Sequence, residues 1–301
     1  MSANRKTTAK TTSLATYAGT ICKGFLMGSA DIVPGVSGGT MAFITGIYER
    51  LLSALAAFDF RFVRLLVARR FRQAAAHVQL DFLVALGLGM LGAVVSMSGL
   101  LHSLLQTHQV LVFAFFFGLV VASAWVIGGR IVGWGRSVVA TLLLGIIGGW
   151  LVTGLVPVDA SHAWPAVFFS GAVAISAMLM PGVSGAFLLL VLGQYEFITG
   201  LLRDPFRLEA LQGLSAFALG CLCGIAIFSR LLRWWLRRFP AVALAFLTGF
   251  MLGAVRTLWP WAAPDAAEVS LSVIVVCMGA GFALVVSIAR LAHGKENKQH
   301  E

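Results

Sequence analysis

Ionisable side chains are scarce in this sequence. Asp, Glu, Lys and Arg make up 11% of 301 residues, against roughly 25% in soluble domains, which excludes an ordinary water-soluble globular chain. The charge is missing in blocks: none falls within 82–129, 137–158, 160–195, 210–229, 240–255 or 269–289. About 20 apolar residues cross a bilayer, so six full spans are expected, at 80–104, 109–129, 137–157, 209–230, 239–258 and 270–291. Metal-ligand patterns are missing too. The four cysteines, Cys22, Cys221, Cys223 and Cys277, lie in apolar segments with no second ligand pair or neighbouring histidines, and read as packing residues. The six histidines show no ligand spacing, so no metal and no cofactor is expected. No Gly-Lys-Ser/Thr follows a glycine loop, which excludes a nucleotide P-loop.

What charge there is has a strong sign bias, with a formal net charge of +10. In a soluble chain this would raise the question of nucleic acid; in a membrane protein basic residues collect in cytoplasmic loops, and no nucleic-acid partner is expected. Arg5, Lys6 and Lys10 precede a weakly apolar stretch, but Lys23 interrupts it and no small-residue cleavage site follows, so the segment reads as part of the mature chain. Two further apolar segments, 14–58 and 164–202, are treated as entering and leaving on one side. Arg61, Arg64, Arg69, Arg70, Arg72, Arg130, Arg136, Arg230, Arg233, Arg237, Arg238, Lys295 and Lys298 then share a face with the N-terminal basic residues. Only Arg203, Arg207 and Arg256 fall opposite. The charge rule makes the basic face cytoplasmic, with both termini inside.

The segment 59–79 is too charged to span. At helical spacing Phe60, Val63, Val67, Phe71, Ala74 and Val78 share a stripe opposite Arg61, Arg69 and Arg72, which predicts an amphipathic helix lying on a leaflet of anionic lipids. The stretch 230–239, with its arginines and tryptophans, reads as an interfacial anchor.

An internal repeat organises the rest. Pro34-Gly35-Val36-Ser37-Gly38 returns as Pro181-Gly182-Val183-Ser184-Gly185, and at the same offset of 147 residues Gly46-Ile47-Tyr48-Glu49 returns as Gly193-Gln194-Tyr195-Glu196. The expected architecture is an all-α integral membrane protein with an inverted repeat. After a tail at 1–13, the first half covers 14–157 (re-entrant hairpin 14–58, interfacial helix 59–79, three spans). The second covers 158–291 (hairpin 164–202, three spans), before a tail at 292–301. An odd number of crossings per half inverts the second relative to the first, the arrangement of many transporters.

Irregular backbone at membrane depth survives only where protein or water satisfies it. Proline ends the incoming half-helix, and glycine lets a ligand approach the backbone. The amides from Val36 to Thr40, including Gly38 and Gly39, with the Ser37 and Thr40 hydroxyls, form a candidate nest for a small oxyanion such as phosphate. Asp31, Glu49, Arg50 and Glu196 are charges inside apolar segments, where desolvation makes them functional candidates. Arg50 is expected to meet the phosphate. Glu49 and Glu196 are the candidate proton carriers, and Asp31 either touches substrate or braces the break.

The run Gly28-Ser29-Ala30-Asp31-Ile32-Val33-Pro34-Gly35-Val36-Ser37-Gly38-Gly39-Thr40, followed by Gly46 to Leu51, closely resembles the signature of the bacterial polyprenyl-phosphate transporter family. The second copy, Pro181 to Glu196, and Gly249 to Gly253 look like that family's pattern as well, so the resemblance covers about 20–291. It implies a multi-pass protein of the bacterial cytoplasmic membrane that carries undecaprenyl phosphate from the outer to the cytoplasmic leaflet, for reuse in building cell-envelope polymers such as peptidoglycan. The residues expected to contact substrate are Asp31, Pro34 to Thr40, Arg50, Pro181, Gly182, Ser184 and Gly185. The second copy has Met178 in place of Asp31 and Ala186 in place of Gly39, which makes the first loop the main expected headgroup site. The alternative reading is a transporter or channel for a small soluble anion. A membrane phosphatase is disfavoured, because no histidine nucleophile stands beside an Arg/Lys cluster.

Overall fold

The computed structural model describes residues 14–33, 36–158, 160–204 and 206–297. Pro34 and Gly35 of the first motif, and the tail residues 1–13 and 298–301 with their basic side chains, lie outside the described residues. In chain order the helices are α1 (Leu14–Asp31), α2 (Gly38–Ile44), α3 (Tyr48–Ala56), α4 (Phe60–Val67), α5 (Phe71–His77), α6 (Leu80–Thr107) and α7 (Gln109–Gly128). They continue with α8 (Arg136–Val152), α9 (Trp164–Met178), α10 (Gly185–Val191), α11 (Tyr195–Leu201), α12 (Leu208–Arg238), α13 (Pro240–Ala254) and α14 (Leu271–Asn297). Every regular element among the described residues is helical. Hydrocarbon offers the backbone no water, and a helix satisfies its own amides.

The chain is an all-α, multi-pass integral membrane protein. Among the described residues five helices are long and apolar enough to cross a bilayer: α6, α7, α12, α13 with its short 3-10 continuation to Ala262, and α14. The segment expected to span at 137–157 is the shorter α8, which stops at Val152 ahead of Gly154 and Pro157. α7 and α13 form the centre, each buried over more than half its apolar length. α6, α12 and α14 instead turn large apolar side chains such as Val95, Ile227 and Val276 outward. An apolar outer surface of that extent suits lipid rather than water.

Four helix pairs dominate the packing: α1 with α6, α9 with α12, α7 with α14, and α8 with α13. Glycines bring the backbones together in each. A Cβ on Gly24 or Gly28 would run into the backbone of Leu86 or Met90, one on Gly220 or Gly224 into Phe168 or Ala172, and one on Gly145 or Gly149 into Phe246 or Phe250. Gly118 and Gly281 lie in the same way against Met278 and Phe115. Lipid tails are as apolar as leucine, so helices in a bilayer gain from such close van der Waals contact rather than from hydrophobic burial. In all four pairs the residue numbers rise together along the seam, so the partners run parallel. The segment α2–α5 therefore returns the chain to the level at which α1 began, and 179–207 does the same between α9 and α12.

The segment expected to be one amphipathic helix is two. Arg69 sits at φ 54, its N–H donating to Leu66 and that of Arg70 to Leu65, a Schellman stop between α4 and α5. The predicted stripe is split accordingly. Phe60, Val63, Val67 and Phe71 stay exposed, while Ala74 and Val78 are buried.

Candidate functional site

The two Pro-Gly-Val-Ser-Gly breaks meet in the interior. After α1 ends at Asp31, Ser37 adopts extended backbone and its Oγ accepts the Gly39 N–H at 3.1 Å, capping α2. All seven residues of α2 are buried. It stops at Gly46, whose φ of 72 allows the Ile47 N–H to reach Ala42 and the Gly46 N–H to reach Phe43. In the second copy Ser184 caps α10 through the Phe187 N–H, and Gly193, at φ 64, makes the same turn with Gln194 bonded to Leu189. On the first side Lys23 of α1 donates to the Thr45 carbonyl at 2.8 Å, placing a cation at the negative end of α2.

Three hydroxyls of the first hairpin bind the backbone of the second break. The Ser37 hydroxyl donates to the Met180 carbonyl at 3.2 Å, the Tyr48 hydroxyl donates to Leu179 at 2.7 Å, and the Gly182 N–H donates to Thr40 Oγ1 at 3.1 Å. Ser37 and Thr40, expected to face an anion, thus hold the opposite loop and are fully buried. Gly182, at φ 91, lies against Met251 of α13, where a Cβ would come within 3.0 Å of the Met251 Cα. Pro181, Ser184 and Gly185 are buried beside it, as Val36 is in the first loop.

A cavity of about 170 Å3 adjoins this contact, lined by Asp31, Gly38, Gly39 and Tyr48 with apolar side chains from α1, α3, α6, α9 and α12. Asp31 Oδ1 accepts the Gly38 N–H at 2.6 Å, whereas its Oδ2 is buried with no hydrogen-bond partner. A carboxylate therefore sits where the sequence predicts a phosphate oxygen. Asp31, Gly38 and Gly39 come together here, but Arg50 does not join them. Its Nε donates to Gln79 Oε1 at 2.8 Å and its guanidinium lies 4.2 Å over the Phe82 ring at the start of α6. Glu49 and Glu196 open α3 and α11 at the two hairpin mouths and are exposed.

The second mouth holds a larger cleft of about 670 Å3, bordered by Pro157, Val158, His162, Tyr195, Glu196 and Phe197. Beneath it Gln194, fully buried, donates to the Ser161 carbonyl at 2.9 Å and meets His162 Nδ1 at 3.3 Å, while the His162 ring stacks on Phe197. Gln194 escaped the sequence reading, although its signal was there: it replaces Ile47 inside an otherwise matching block. Tyr48 was visible only as part of the repeated mouth, and its bond to Leu179 had no local trace.

A family model described as undecaprenyl phosphate translocase-like matches residues 27–276. A Vibrio cholerae protein named polyprenyl-phosphate transporter is 39% identical over 245 residues, covering 81% of this chain and 78% of that protein. A Staphylococcus aureus protein of the same name is 29% identical over 291 residues, 92% of this chain and 97% of the other. No solved structure matches the chain.

Proposed function

The chain belongs to the undecaprenyl phosphate translocase-like family, and on that premise we propose that it transports a polyprenyl phosphate across the bacterial cytoplasmic membrane, from the outer to the inner leaflet, returning the carrier lipid for envelope synthesis. The observation that carries this reading is the meeting of the two broken helices beside a cavity whose polar side is Asp31, Gly38, Gly39 and Tyr48 and whose remaining walls are apolar. In this reading a phosphate monoester takes the polar side while the prenyl chain stays in lipid, so only the headgroup has to be sheltered. Apolar walls suit that substrate better than a fully hydrated anion.

The parallel pairing of α1 with α6 and α9 with α12 supports re-entrant hairpins at 14–58 and 164–202 and an inverted repeat. The basic bias supports both termini on the cytoplasmic side. The bonds from Ser37, Thr40 and Tyr48 to the second loop are the barrier that must part for the headgroup to pass. Because Asp31 occupies the Gly38 amide, phosphate and ionised carboxylate would repel one another, and a proton on Asp31 removes the conflict. Glu49 and Glu196, exposed at opposite mouths, are placed to collect and release protons. Moving a monoanion inward against an inside-negative potential costs about 2.3 kcal/mol per 100 mV, which one symported proton offsets.

The test is reconstitution into liposomes with a leaflet-specific probe of polyprenyl phosphate. Movement that depends on the added protein supports the reading, and absence of movement sinks it. Release of inorganic phosphate by the purified protein would instead make it an enzyme.

A further inference from the structure

The C-terminal end of α12 carries a cleft of about 330 Å3 lined by Arg230, Arg233, Trp234, Arg237 and Arg238. Among the described residues no carboxylate lines it. A helix C-terminus presents about half a negative charge, which two basic residues in the last turn more than satisfy, so four guanidinium groups in one cleft exceed what the helix end needs. Arg230, Arg233 and Arg237 follow one helical face and extend along roughly 10 Å of axis. Arg238 lies 5.2 Å over the Phe239 ring, which meets Trp234 edge-on. Trp234 and Leu231 are exposed on the outer surface of this helix, at a membrane boundary where tryptophan is favoured. Arg230 is already fixed: its Nη1 donates to Ala226 and its Nη2 to Phe58, just past the end of α3.

We propose that this cleft is a binding site for a phospholipid headgroup carrying two phosphates. Guanidinium forks pair bidentately with phosphate oxygens, and each phosphodiester brings one negative charge, so a single one leaves the cleft under-neutralised. The row of arginines is also longer than one phosphate, and two joined by a short bridge span it. Acyl chains leaving such a headgroup run along Leu231 and Trp234. Because Arg230 also holds Phe58, occupancy ties the lipid to the base of the first hairpin. The site is separate from the cavity at Asp31 and does not depend on what that cavity carries.

The experiment uses the full chain in detergent and in nanodiscs, with lipid retention read by native mass spectrometry and stability by Tm. The probes are diphosphatidylglycerol, phosphatidylglycerol at equal total charge, and polyprenyl phosphate. One diphosphatidylglycerol per chain should survive delipidation and raise Tm. The Arg233→Gln/Arg237→Gln pair should weaken that binding by about tenfold or more, and Arg233→Lys/Arg237→Lys, which keeps charge but loses the fork, should weaken it in part. Arg69→Gln/Arg72→Gln, on a different basic face, should leave it unchanged. Equal binding of phosphatidylglycerol, full binding by the lysine pair, or equal loss in the 69/72 pair would reduce the cleft to unspecific surface attraction. Displacement of diphosphatidylglycerol by polyprenyl phosphate would make it part of the substrate's route and overturn the proposal.

Discussion

The Tyr48 hydroxyl donates a 2.7 Å hydrogen bond to the Leu179 carbonyl, joining residues 131 positions apart at the point where both helix breaks meet. Tyr48→Phe leaves a buried carbonyl without its partner, which costs about 1–3 kcal/mol. Tm should fall, and a cysteine placed at Met180 in a cysteine-free background should react faster with a small thiol reagent. Unchanged Tm and labelling would show that the contact does not close the barrier.

Gly38 and Asp31 are equally interdependent. A Cβ on Gly38 would lie 2.5 Å from Asp31 Oδ2. Gly38→Ala should therefore impair stability and transport, with little further stability loss when Asp31→Ala is already present. Neighbouring groups that share a contact give such non-additive effects. Additive losses in a double-mutant cycle would place the two side chains apart.

Charge at the headgroup is tested by Asp31→Asn, which removes the negative group but keeps its shape. Headgroup binding at alkaline pH should strengthen and lose its pH dependence. Glu49→Gln and Glu196→Gln should each weaken the pH dependence of transport while leaving binding largely intact. If all three variants keep wild-type pH profiles in liposomes, coupling resides in protonation of the phosphate itself.

Orientation follows from labelling with a membrane-impermeant thiol reagent. Cysteines at Gln106 and Ala160 should react from outside, and those at Arg70, Trp134 and Trp234 only from inside. Reaction of positions 134 and 234 from opposite faces would remove the inverted repeat.

The start of α4 should respond to acid. Burial pushes the Asp59 carboxyl up, but hydrogen bonds from the Phe62 amide and His77 outweigh it and hold its pKa below the ordinary value. A lowered folded pKa means stability that is present above the ordinary carboxylate range and is lost as pH falls through the lowered value. Asp59→Ala should raise hydrogen exchange in 60–63 at neutral pH. An equal effect of the substitution below pH 3 would contradict this cap.

The repeat was legible because turn chemistry is local: Gly46 and Gly193 make the same positive-φ stop at the same offset. Five of the six expected spans and the exposed face of α4 followed from composition and period. The direction of the hydroxyls was not legible, since Ser37, Thr40 and Tyr48 choose partners more than 130 residues away. Arg50 was drawn toward a phosphate by charge alone, yet Gln79 and Phe82, brought beside it by the return of α4 and α5, hold it elsewhere. The single helix expected over 59–79 failed because a left-handed arginine at 69 leaves no mark in a hydrophobic pattern.

The glycine seams decide which parts of the protein can slide. Two of the four pairs, α7 with α14 and α8 with α13, take one helix from each half, and their backbones touch without side chains between them. A see-saw of one half against the other would have to tear both seams. If these cross-half helices hold as a frame, motion falls to the two segments that carry the breaks, each packed on its own parallel partner, α6 or α12. A cross-link between α8 and α13 should then leave transport running, whereas one between α2 and the end of α9 should arrest it.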